Sequence, residues 1–325
     1  MSTPPRSMHA IMIRRFGGPE VVEFAEIDVP QPRAGELLLK VQAASLNPVD
    51  WKIRSGKYPA VGEDRLPYVL GRDLSAIVAV SDDPGLAPGT LVHGLLDIAH
   101  GSFAEYAIAR PEEVATVPGA LEHVSAAAVP LAGLTAWQGL FDHGGLQAGQ
   151  TVLIHAGAGG VGHLAVQFAK ARGATVIATA SSDHVAFVRS LGADEVIDYR
   201  QERFDDRVRD VDLVYDLVGG QTQERSWPLL RKGGTLVTTL AEPPQDQARA
   251  HGVRALRYTA QSSGRQLREI DALIESGKVR PHVDRTFDIA SCKEAFSSIE
   301  QGHGAGKIVL DLASTITGAP DHPWQ

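Results

Sequence analysis

The sequence is poor in the residues that build covalent or metal-bound frameworks. Cys292 is the one cysteine among 325 residues, which excludes an intrachain disulfide and a cysteine-based zinc site. No apolar run reaches the ~20 residues of a membrane-spanning helix, and residues 1–15 lack the apolar core of a signal peptide. Lys and Arg, at 31, are outnumbered by 39 Asp and Glu, and the net charge of −8 disfavours a polyphosphate partner. We therefore expect a soluble, cytoplasmic protein with neither a nucleic-acid nor a membrane partner.

The remaining composition is that of a folded protein long enough for two domains. Hydrophobic residues make up 43% and charged residues 22% of the chain, which is typical of globular domains rather than of disordered chains. We expect the ends to be the exceptions, with a loose leader over Met1–Ser7 and a loose tail over residues 320–325.

The first third of the chain reads as β-rich. Short apolar or alternating runs cover residues 10–17, 21–29 and 36–46, and Gly and Pro separate them. Many short strands joined by such turns predict a compact barrel or sandwich.

The pattern changes near Leu121. An Ala- and Leu-rich helical stretch follows, which Pro130 either kinks or divides into two helices. From Thr151 onward, strands alternate with helices, which predicts an α/β fold with a parallel, doubly wound sheet. An amphipathic helix from Gly264 then leads into a strand–helix–strand tail. The predicted domains are residues 1–124, 125–265 and 266–325.

A glycine-rich loop opens the first helix of the α/β part. Gly157, Gly159 and Gly162 match the pattern G-x-G-x-x-G between a predicted strand and a predicted helix. The first glycine allows a tight turn, the second lets a pyrophosphate approach the backbone, and the third lets helix and strand pack closely. The alternative is a glycine-rich turn without a ligand. The predicted cofactor-binding residues of the loop are Gly157, Ala158, Gly159, Gly160, Val161 and Gly162.

The end of the next predicted strand favours NADPH over NADH. An NAD enzyme usually has Asp or Glu there to accept hydrogen bonds from the ribose hydroxyls, but the sequence has Ala180 followed by Ser181 and Ser182. Two hydroxyls can donate to a 2′-phosphate that a carboxylate would repel. Either serine is also a suitable helix cap.

Four further residues bear on this cofactor prediction. His184, and Tyr199 with Arg200 after the third strand, supply additional donors or charge for the 2′-phosphate. Asp183 would favour NADH if it faced the ribose. We expect it in the first turn of the next helix instead, where a negative charge is favourable.

Six motifs in order give the chain a family resemblance. They are "ASLNPVDWKIRSG", "LPYVLGRDLSAIV", "HGSFAEYA", "VPLAGLTAWQGLF", "VLIHAGAGGVGHLAVQFAK" and "GAGKIVL". Together they resemble the zinc-independent branch of the medium-chain dehydrogenase/reductase superfamily, the zeta-crystallin-like quinone oxidoreductase and enone reductase group. The resemblance implies a GroES-like catalytic domain, a Rossmann domain, and a last segment that returns to the first domain. It also implies an active-site cleft between the domains and a homodimer formed through Rossmann edge strands.

The resemblance also implies that both zinc sites of the related zinc-dependent branch are missing. That branch has a cysteine within the stretch that reads "SLNPVD" here, and Gly-His-Glu in place of Gly71, Arg72 and Asp73. Its four-cysteine lobe is absent between Ser81 and Ala99. The twelve histidines independently show no metal-binding spacing. We expect no metal.

Without a metal to polarise a simple carbonyl, hydride transfer needs an acceptor that is already electrophilic. Quinones and α,β-unsaturated ketones meet this condition, provided that the protein offers donors where the oxyanion develops. The family pattern places Asn47 beside the nicotinamide, although Asn47 before Pro48 is also a turn sequence. Lys52 stands where many relatives have a tyrosine, and it is either a cationic donor to the oxyanion or a solvated lysine at a strand end. Trp51 and Tyr58 either line an apolar substrate cleft or belong to the core.

The remaining predicted cofactor contacts come from several elements. Thr135 matches a family position near the nicotinamide, and its alternative role is a helix threonine that bonds back to its own helix. Lys307 matches a position near the cofactor, with a plain surface lysine as the alternative. Leu217 and Val218 follow the fourth predicted strand of the α/β part and Leu240 ends the fifth, and the carboxyl ends of such strands line the cofactor crevice.

The sequence assigns no chemical role to three residues. Cys292 has no His–Asp partnering in the sequence, and Arg72 and Asp73 are expected only to pair with each other. The favoured hypothesis is an NADPH-dependent quinone or enone reductase. The alternatives are an NADPH-binding sensor or structural protein without turnover, a zinc-type alcohol dehydrogenase, and, disfavoured by charge, a nucleic-acid binder.

Overall fold

The computed structural model describes residues 4–302 and 304–313. The predicted loose tail over residues 320–325 lies outside the described residues, as do residues 1–3 of the predicted leader. Ser7 does not belong to a loose leader, because it begins the first strand and pairs with Asp28.

Short strands are spread along the described part of the chain. Their bounds are β1 Ser7–Ile13, β2 Glu23–Asp28, β3 Leu37–Leu46, β4 Tyr68–Val69, β5 Asp73–Val80, β6 Leu91–Leu95, β7 Tyr106–Ala109, β8 Val114–Thr116, β9 Thr151–Ile154, β10 Thr175–Ala180, β11 Glu195–Asp198, β12 Val211–Asp216, β13 Leu230–Thr238, β14 Arg254–Arg257, β15 Val283–Asp288 and β16 Lys307–Asp311.

The helices concentrate after β8. Their bounds are α1 Pro48–Arg54, α2 His123–Ala127, α3 Pro130–Trp137, α4 Gly162–Ala171, α5 Val185–Ser190, α6 Phe204–Arg207, α7 Gln221–Ser226, α8 Gln245–His251, α9 Gly264–Glu275 and α10 Cys292–Gln301. Shorter 3-10 turns join several of them, and a π-helix, Gln138–His143, follows α3.

Two compact units divide the chain. The first falls within residues 1–131, 262–275 and 282–325, and the second within residues 132–261 and 276–281.

The first unit is the β-rich part that the strand pattern predicts. Its larger sheet has the order β15-β16-β3-β5-β6-β8, with β7 also paired to β3, and a smaller sheet has the order β2-β1-β4. The C-terminal strand β16 runs antiparallel to β3 and pairs Val309 with Ser45. The last segment of the chain therefore completes the sheet that the first segment begins.

The core of this unit includes residues far apart in sequence. Leu39 and Val41 of β3 are buried, and the rings of Phe103 and Phe296 meet edge to face with centroids 6.2 Å apart. Phe296 comes from α10, whose first residue, Cys292, is buried in the same cluster. Burial raises the pKa of the Cys292 thiol to about 12.

The second unit is a parallel, doubly wound sheet, as predicted. Its order is β11-β10-β9-β12-β13-β14, and every pairing is parallel. Counted from β9 as its first strand, the order is 3-2-1-4-5-6, the Rossmann arrangement. The strand order reverses between β9 and β12, and ligands of such sheets bind at the carboxyl ends of the strands around this point.

Local sequence explains several of these elements. Val152, Leu153 and Ile154 of β9 are all fully buried, because a central parallel strand is covered on both faces. Pro130 separates two helices, and it occupies the first position of α3, where its missing N–H costs nothing. The periodic pattern did not predict the π-helix, whose backbone hydrogen bonds join residues five rather than four positions apart.

Candidate active site

A buried polar cluster lies in the first unit. It consists of Ser45 near the end of β3, Asn47 just after it, Asp73 at the start of β5 and Lys307 at the start of β16. The register explains the meeting, because Ser45 pairs with Asp73 across β3 and β5, and β16 pairs with the same end of β3. All four side chains are at most 4% exposed.

The carboxamide of Asn47 links the two charges of this cluster. Its Oδ1 accepts a hydrogen bond of 2.5 Å from Lys307 Nζ, which fixes the oxygen on the lysine side because an ammonium only donates. Its Nδ2 donates to Asp73 Oδ1 at 2.9 Å and to the Ser45 carbonyl at 3.0 Å. Both amide hydrogens are thus used inside the protein. Asn47 can accept a further hydrogen bond, but it cannot donate one to a substrate oxyanion.

Asp73 and Lys307 share the remaining bonds with their surroundings. Asp73 accepts the Ser45 hydroxyl at 2.8 Å and the Leu131 N–H at 3.1 Å, and Lys307 also donates to the Leu46 carbonyl at 2.7 Å. Burial raises the pKa of Asp73 and lowers that of Lys307, and the opposite charge of each partner counteracts both shifts. Each charge therefore depends on the other.

Asp50 lies next to the cluster, although the sequence did not single it out. Its Oδ2 accepts the backbone N–H of Asn47 at 2.7 Å, whereas its Oδ1 is buried and has no partner among the described residues. Burial, with the nearby charge of Asp73, raises the pKa of Asp50 to about 7. The spacing Asn47-x-x-Asp50 was an available signal, because an acidic residue at this helix position reaches back to the capping residue.

These contacts decide between the roles that the sequence left open for three sets of residues. Arg72 and Asp73 do not pair, since the Arg72 guanidinium donates to the Leu96 carbonyl at 2.9 Å and 3.3 Å. Lys307 is not a surface lysine but a buried one. Asn47 does begin α1, as a turn residue would, but its side chain belongs to the polar cluster.

Lys52, Trp51 and Tyr58 lie on or after α1. Lys52 is not at a strand end but in the last turn of α1, half-buried, with its Nζ 5.8 Å from the centre of the Trp51 ring. Trp51 and Tyr58 are half-buried and pack against the core of the first unit. The hydrogen bonds of the described residues do not connect these three side chains to Asn47, so their substrate roles stay predictions.

In the second unit, β9 leads into the glycine loop through a strained turn. Ala156 has a φ of 55°, a left-handed conformation that is uncommon for a residue with a side chain. The N–H of Gly157 bonds to the Thr179 carbonyl at 2.9 Å, and that of Gly159 bonds back to the Ala156 carbonyl at 3.0 Å. A β-carbon at Gly162 would lie 2.1 Å from the Ala156 carbonyl oxygen. The third glycine is therefore needed for close packing inside the protein.

The other two glycines differ in what limits them. A β-carbon at Gly157 would lie 3.0 Å from the Ala178 β-carbon, a tight internal contact, whereas one at Gly159 would meet only the Ala156 oxygen at 3.4 Å. Nothing inside the protein thus requires a glycine at 159. The N–H of His163 in the first turn of α4 already bonds to the Gly159 carbonyl at 2.9 Å, but the open space at Gly159 beside the start of this helix fits a phosphate group.

The end of β10 carries no carboxylate, in agreement with the sequence. Ser181 is buried and Ser182 exposed, and Ser181 precedes a 3-10 turn without a capping bond from its side chain.

Asp183 lies in the first turn of that segment, as expected, and its carboxylate is 3.0 Å from the Arg200 guanidinium. Tyr199 bonds through its N–H to the Ala180 carbonyl, and its side chain is exposed. His184 ends the 3-10 turn.

Leu217 and Val218 lie directly after β12, as predicted, whereas Leu240 does not end β13 but lies two residues beyond its last residue, Thr238. Asp216 holds the turn after β12, because its Oδ1 accepts the N–H groups of Val218 at 3.0 Å and Gly219 at 2.8 Å. The side chain of Val218 is exposed although it is apolar.

The backbone carbonyl of Thr135 is held by a pair of tyrosines. The Tyr258 hydroxyl donates its one hydrogen to the Thr135 carbonyl at 2.5 Å. The Tyr215 hydroxyl lies 3.0 Å from the same carbonyl and donates its hydrogen to Tyr258 Oη at 2.6 Å. Thr135 itself is buried. Sequence reasoning missed both tyrosines, because a hydroxyl that bonds to a backbone carbonyl leaves no motif.

Within 4–302 and 304–313, no three His, Cys, Asp or Glu side chains form a group that could hold a metal ion. No helix in this part of the chain has the length and apolar character needed to cross a membrane.

Known proteins match both parts of this architecture. The model of the alcohol dehydrogenase GroES-like domain matches residues 33–119, and the model described as zinc-binding dehydrogenase matches residues 191–310. The 2-methylene-furan-3-one reductase of Solanum lycopersicum is 36% identical over 94% of this chain and 79% of its own. The chloroplastic NADPH-dependent alkenal/one oxidoreductase of Arabidopsis thaliana is also 36% identical, over 94% and 80%.

A solved structure agrees with these sequence matches. The quinone oxidoreductase of Coxiella burnetii superposes with a TM-score of 0.88 at 36% identity, and the match covers 94% of this chain and 99% of that one. The chain therefore belongs to the medium-chain dehydrogenase/reductase superfamily, a group of oxidoreductases. The predicted family and fold class are confirmed.

Proposed function

We propose that the protein reduces quinones or α,β-unsaturated carbonyl compounds with NADPH and without zinc. The observation that carries this proposal is the buried polar cluster. Asn47 and Asp73 come from the two stretches in which the zinc-dependent branch carries metal ligands, and here Asn47 accepts a hydrogen bond from the Lys307 ammonium and donates one to Asp73. A fixed cation within the cluster opposes the binding of a second one.

The cofactor part of the proposal is supported by the glycine loop and the end of β10. The open position at Gly159 suits a pyrophosphate, and the two serines after Ala180, with Arg200, suit a 2′-phosphate. A bound nicotinamide dinucleotide would supply hydride. The alkenal/one oxidoreductase that resembles this chain is named as NADPH-dependent.

The substrate part assigns different tasks to Asn47 and Lys52. Because both of its amide hydrogens are already donated within the protein, Asn47 can act toward a substrate only as a hydrogen-bond acceptor and as a rigid surface. Lys52 is half-buried on the same helix, and we assign it the positive charge that stabilises the oxyanion formed during reduction. Trp51 and Tyr58 supply the apolar surface for a conjugated substrate.

The test is to follow nicotinamide absorbance of the purified protein with NADPH or NADH, adding a small quinone and a small enone in turn. Faster loss of NADPH with either acceptor is expected, and the preferred acceptor defines the subgroup. A preference for NADH would refute the cofactor assignment. NADPH binding without turnover across a broad acceptor panel would favour a sensor instead.

We also propose a homodimer in the cytoplasm. The edge strand β14 offers unpaired backbone groups on its outer side, and a single buried cysteine suits a reducing compartment. Light scattering should return twice the mass of the chain, and cell fractionation should find the protein in the cytosolic fraction. A monomeric mass would refute the dimer.

A further inference from the structure

A chain of hydrogen-bonding side chains lies next to the turn that opens the glycine loop. His155 follows β9 and is fully buried. Its Nδ1 lies 3.2 Å from Thr179 Oγ1 of β10, and its Nε2 lies 2.9 Å from Ser226 Oγ at the end of α7. Thr179 Oγ1 is in turn 3.2 Å from the N–H of Ala156.

The direction of each hydrogen bond can be derived from the donors available. Ser226 donates its one hydroxyl hydrogen to the Thr222 carbonyl at 2.6 Å, so it must accept from His155 Nε2–H. The other ring nitrogen of a neutral imidazole then accepts, and Thr179 donates its hydroxyl hydrogen to it. The Thr179 oxygen is left to accept from Ala156. Burial lowers the pKa of His155 to about 4, although the nearby charge of Asp216 acts to raise it. The imidazole is therefore neutral at neutral pH, as this series of hydrogen bonds requires.

The Thr179 hydroxyl oxygen accepts a hydrogen bond from the N–H of a strained residue, Ala156. Ala156 adopts its left-handed conformation, which is unfavourable for a residue with a side chain and persists only when its surroundings hold it. Its N–H is held by Thr179, and its carbonyl receives the N–H of Gly159 and lies against Gly162. A change at the Ala156 peptide would therefore move the backbone of the whole loop.

We propose that His155 and Thr179 are positioning residues of the dinucleotide site: by fixing the Thr179 hydroxyl, His155 holds Ala156 in the conformation that shapes the phosphate-binding loop. This inference rests on the proposed function, because it takes the loop to bind the dinucleotide phosphates. Neither residue need touch the cofactor.

The experiment measures the Kd for NADPH and the KM for each substrate in matched variants of the full-length protein. Thr179→Val keeps the shape but removes the acceptor of the Ala156 N–H, and Thr179→Ser keeps the hydroxyl. Thr235→Val is the control, because Thr235 is a buried threonine on β13 of the same sheet. His155→Asn keeps an acceptor near the position of Nδ1, which faces the Thr179 hydroxyl, whereas His155→Gln places its amide near the position of Nε2, which faces Ser226.

We expect Thr179→Val to weaken NADPH binding about tenfold, the usual consequence of one unsatisfied buried donor. Its KM for the acceptor substrate should stay within about twofold, and Thr179→Ser should restore most of the affinity. Thr235→Val should bind NADPH like the unaltered protein, and His155→Asn should bind better than His155→Gln.

Each alternative result has a distinct meaning. If the unaltered protein binds NADPH and Thr179→Val binds it equally well, the positioning role is refuted while the proposed function stands. If Thr235→Val loses as much affinity as Thr179→Val, the effect is general destabilisation and the positioning role is again refuted. If the unaltered protein does not bind NADPH, the proposed function fails, and this inference fails with it.

Discussion

Charge in the buried polar cluster is balanced residue by residue. Lys307 and Asp73 are both fully desolvated, and the Asn47 carboxamide between them aligns its dipole with both charges, oxygen toward the cation and N–H toward the anion. Burying charged groups is tolerated only with such compensation. The cluster therefore responds strongly to the loss of any one charge.

Lys307→Met should test this dependence. Removing the ammonium leaves the Asp73 carboxylate buried without a countercharge, so we expect a loss of about 3–5 kcal/mol in the free energy of unfolding and little reductase activity. Urea denaturation measures the first and NADPH oxidation the second. Adding Asp73→Asn to the same chain should recover part of the stability, because the double variant buries neither charge. A single variant as stable as the unaltered protein would contradict the charge balance.

Asp50 makes a different prediction, on pH. Its folded pKa of about 7 lies above its ordinary value near 4, so between these values the folded state binds more protons than the unfolded one. The Asp50 contribution to stability is consequently lost as the pH rises from about 4 to about 7. Asp50→Asn removes this contribution and should gain stability relative to the unaltered protein over the same window. Urea midpoints at about pH 5 and about pH 8 measure the change, and a pH-independent difference would refute it.

Sequence reasoning reached part of this site and missed the rest for a physical reason. Asn47 and Lys307 were found because they stand in recognisable motifs. Asp73 was expected only to pair with its neighbour Arg72, since sequence adjacency shows which residues are near along the chain but not which strands bring them together. The β3–β5 register, which places Ser45 opposite Asp73, is a tertiary fact.

At the scale of elements, the glycine loop combines two kinds of constraint. Gly162 is required by the helix–strand packing of the protein, and Gly159 is open on the protein side. The pattern G-x-G-x-x-G gives both glycines the same weight, and only the structure separates them.

A pair of alanine substitutions distinguishes these constraints. Gly162→Ala places a methyl group against the Ala156 carbonyl and should cost about 1–3 kcal/mol of stability. Gly159→Ala should leave stability within about 0.5 kcal/mol but should weaken NADPH binding, because the methyl group occupies the space for a phosphate. Thermal melts and NADPH titrations provide the two readouts. Equal stability losses for both variants would show that the loop is limited by packing alone.

The π-helix after α3 forms a second constrained element. A β-carbon at Gly139 would lie 2.5 Å from Tyr258 Oη and 2.7 Å from Tyr215 Cε2, the same tyrosines that hold the Thr135 carbonyl. A residue with a side chain at this position would push the tyrosines away from α3.

Gly139→Ala is therefore expected to destabilise the protein by about 1–3 kcal/mol and to raise the KM for NADPH if Thr135 contacts the cofactor. Combined with Tyr258→Phe, it should cost less than the sum of the two single changes, because the hydroxyl that the methyl group meets is gone. Chemical denaturation of the four proteins gives this coupling, and strict additivity would contradict the contact.

For the whole molecule, hydrophobic periodicity was sufficient to predict both kinds of architecture. The alternating runs predicted the β-rich first unit, and the strand–helix alternation after Thr151 predicted the parallel sheet. Periodicity could not supply the strand order of the first unit, in which the late strand β16 lies beside β3, because pairing between distant segments leaves no local pattern. The proposed domain limits and the dimer likewise depend on contacts that a single sequence does not encode in one place.

The burial of Cys292 has a consequence for an enzyme that handles conjugated carbonyl compounds. Such compounds are soft electrophiles that alkylate thiolates, and an accessible cysteine would be consumed by the substrate itself. Here the one thiol of the chain is buried and its pKa is raised to about 12, so essentially no thiolate exists at neutral pH. We expect intact-protein mass spectrometry to show no thiol adduct at Cys292 after prolonged incubation with an enone, and the same adduct to form readily once the protein is unfolded in urea. A folded protein that gained the adduct at the unfolded rate would contradict this. On this view the fold keeps the one thiol of the chain unreactive toward the class of molecule that the protein is proposed to reduce.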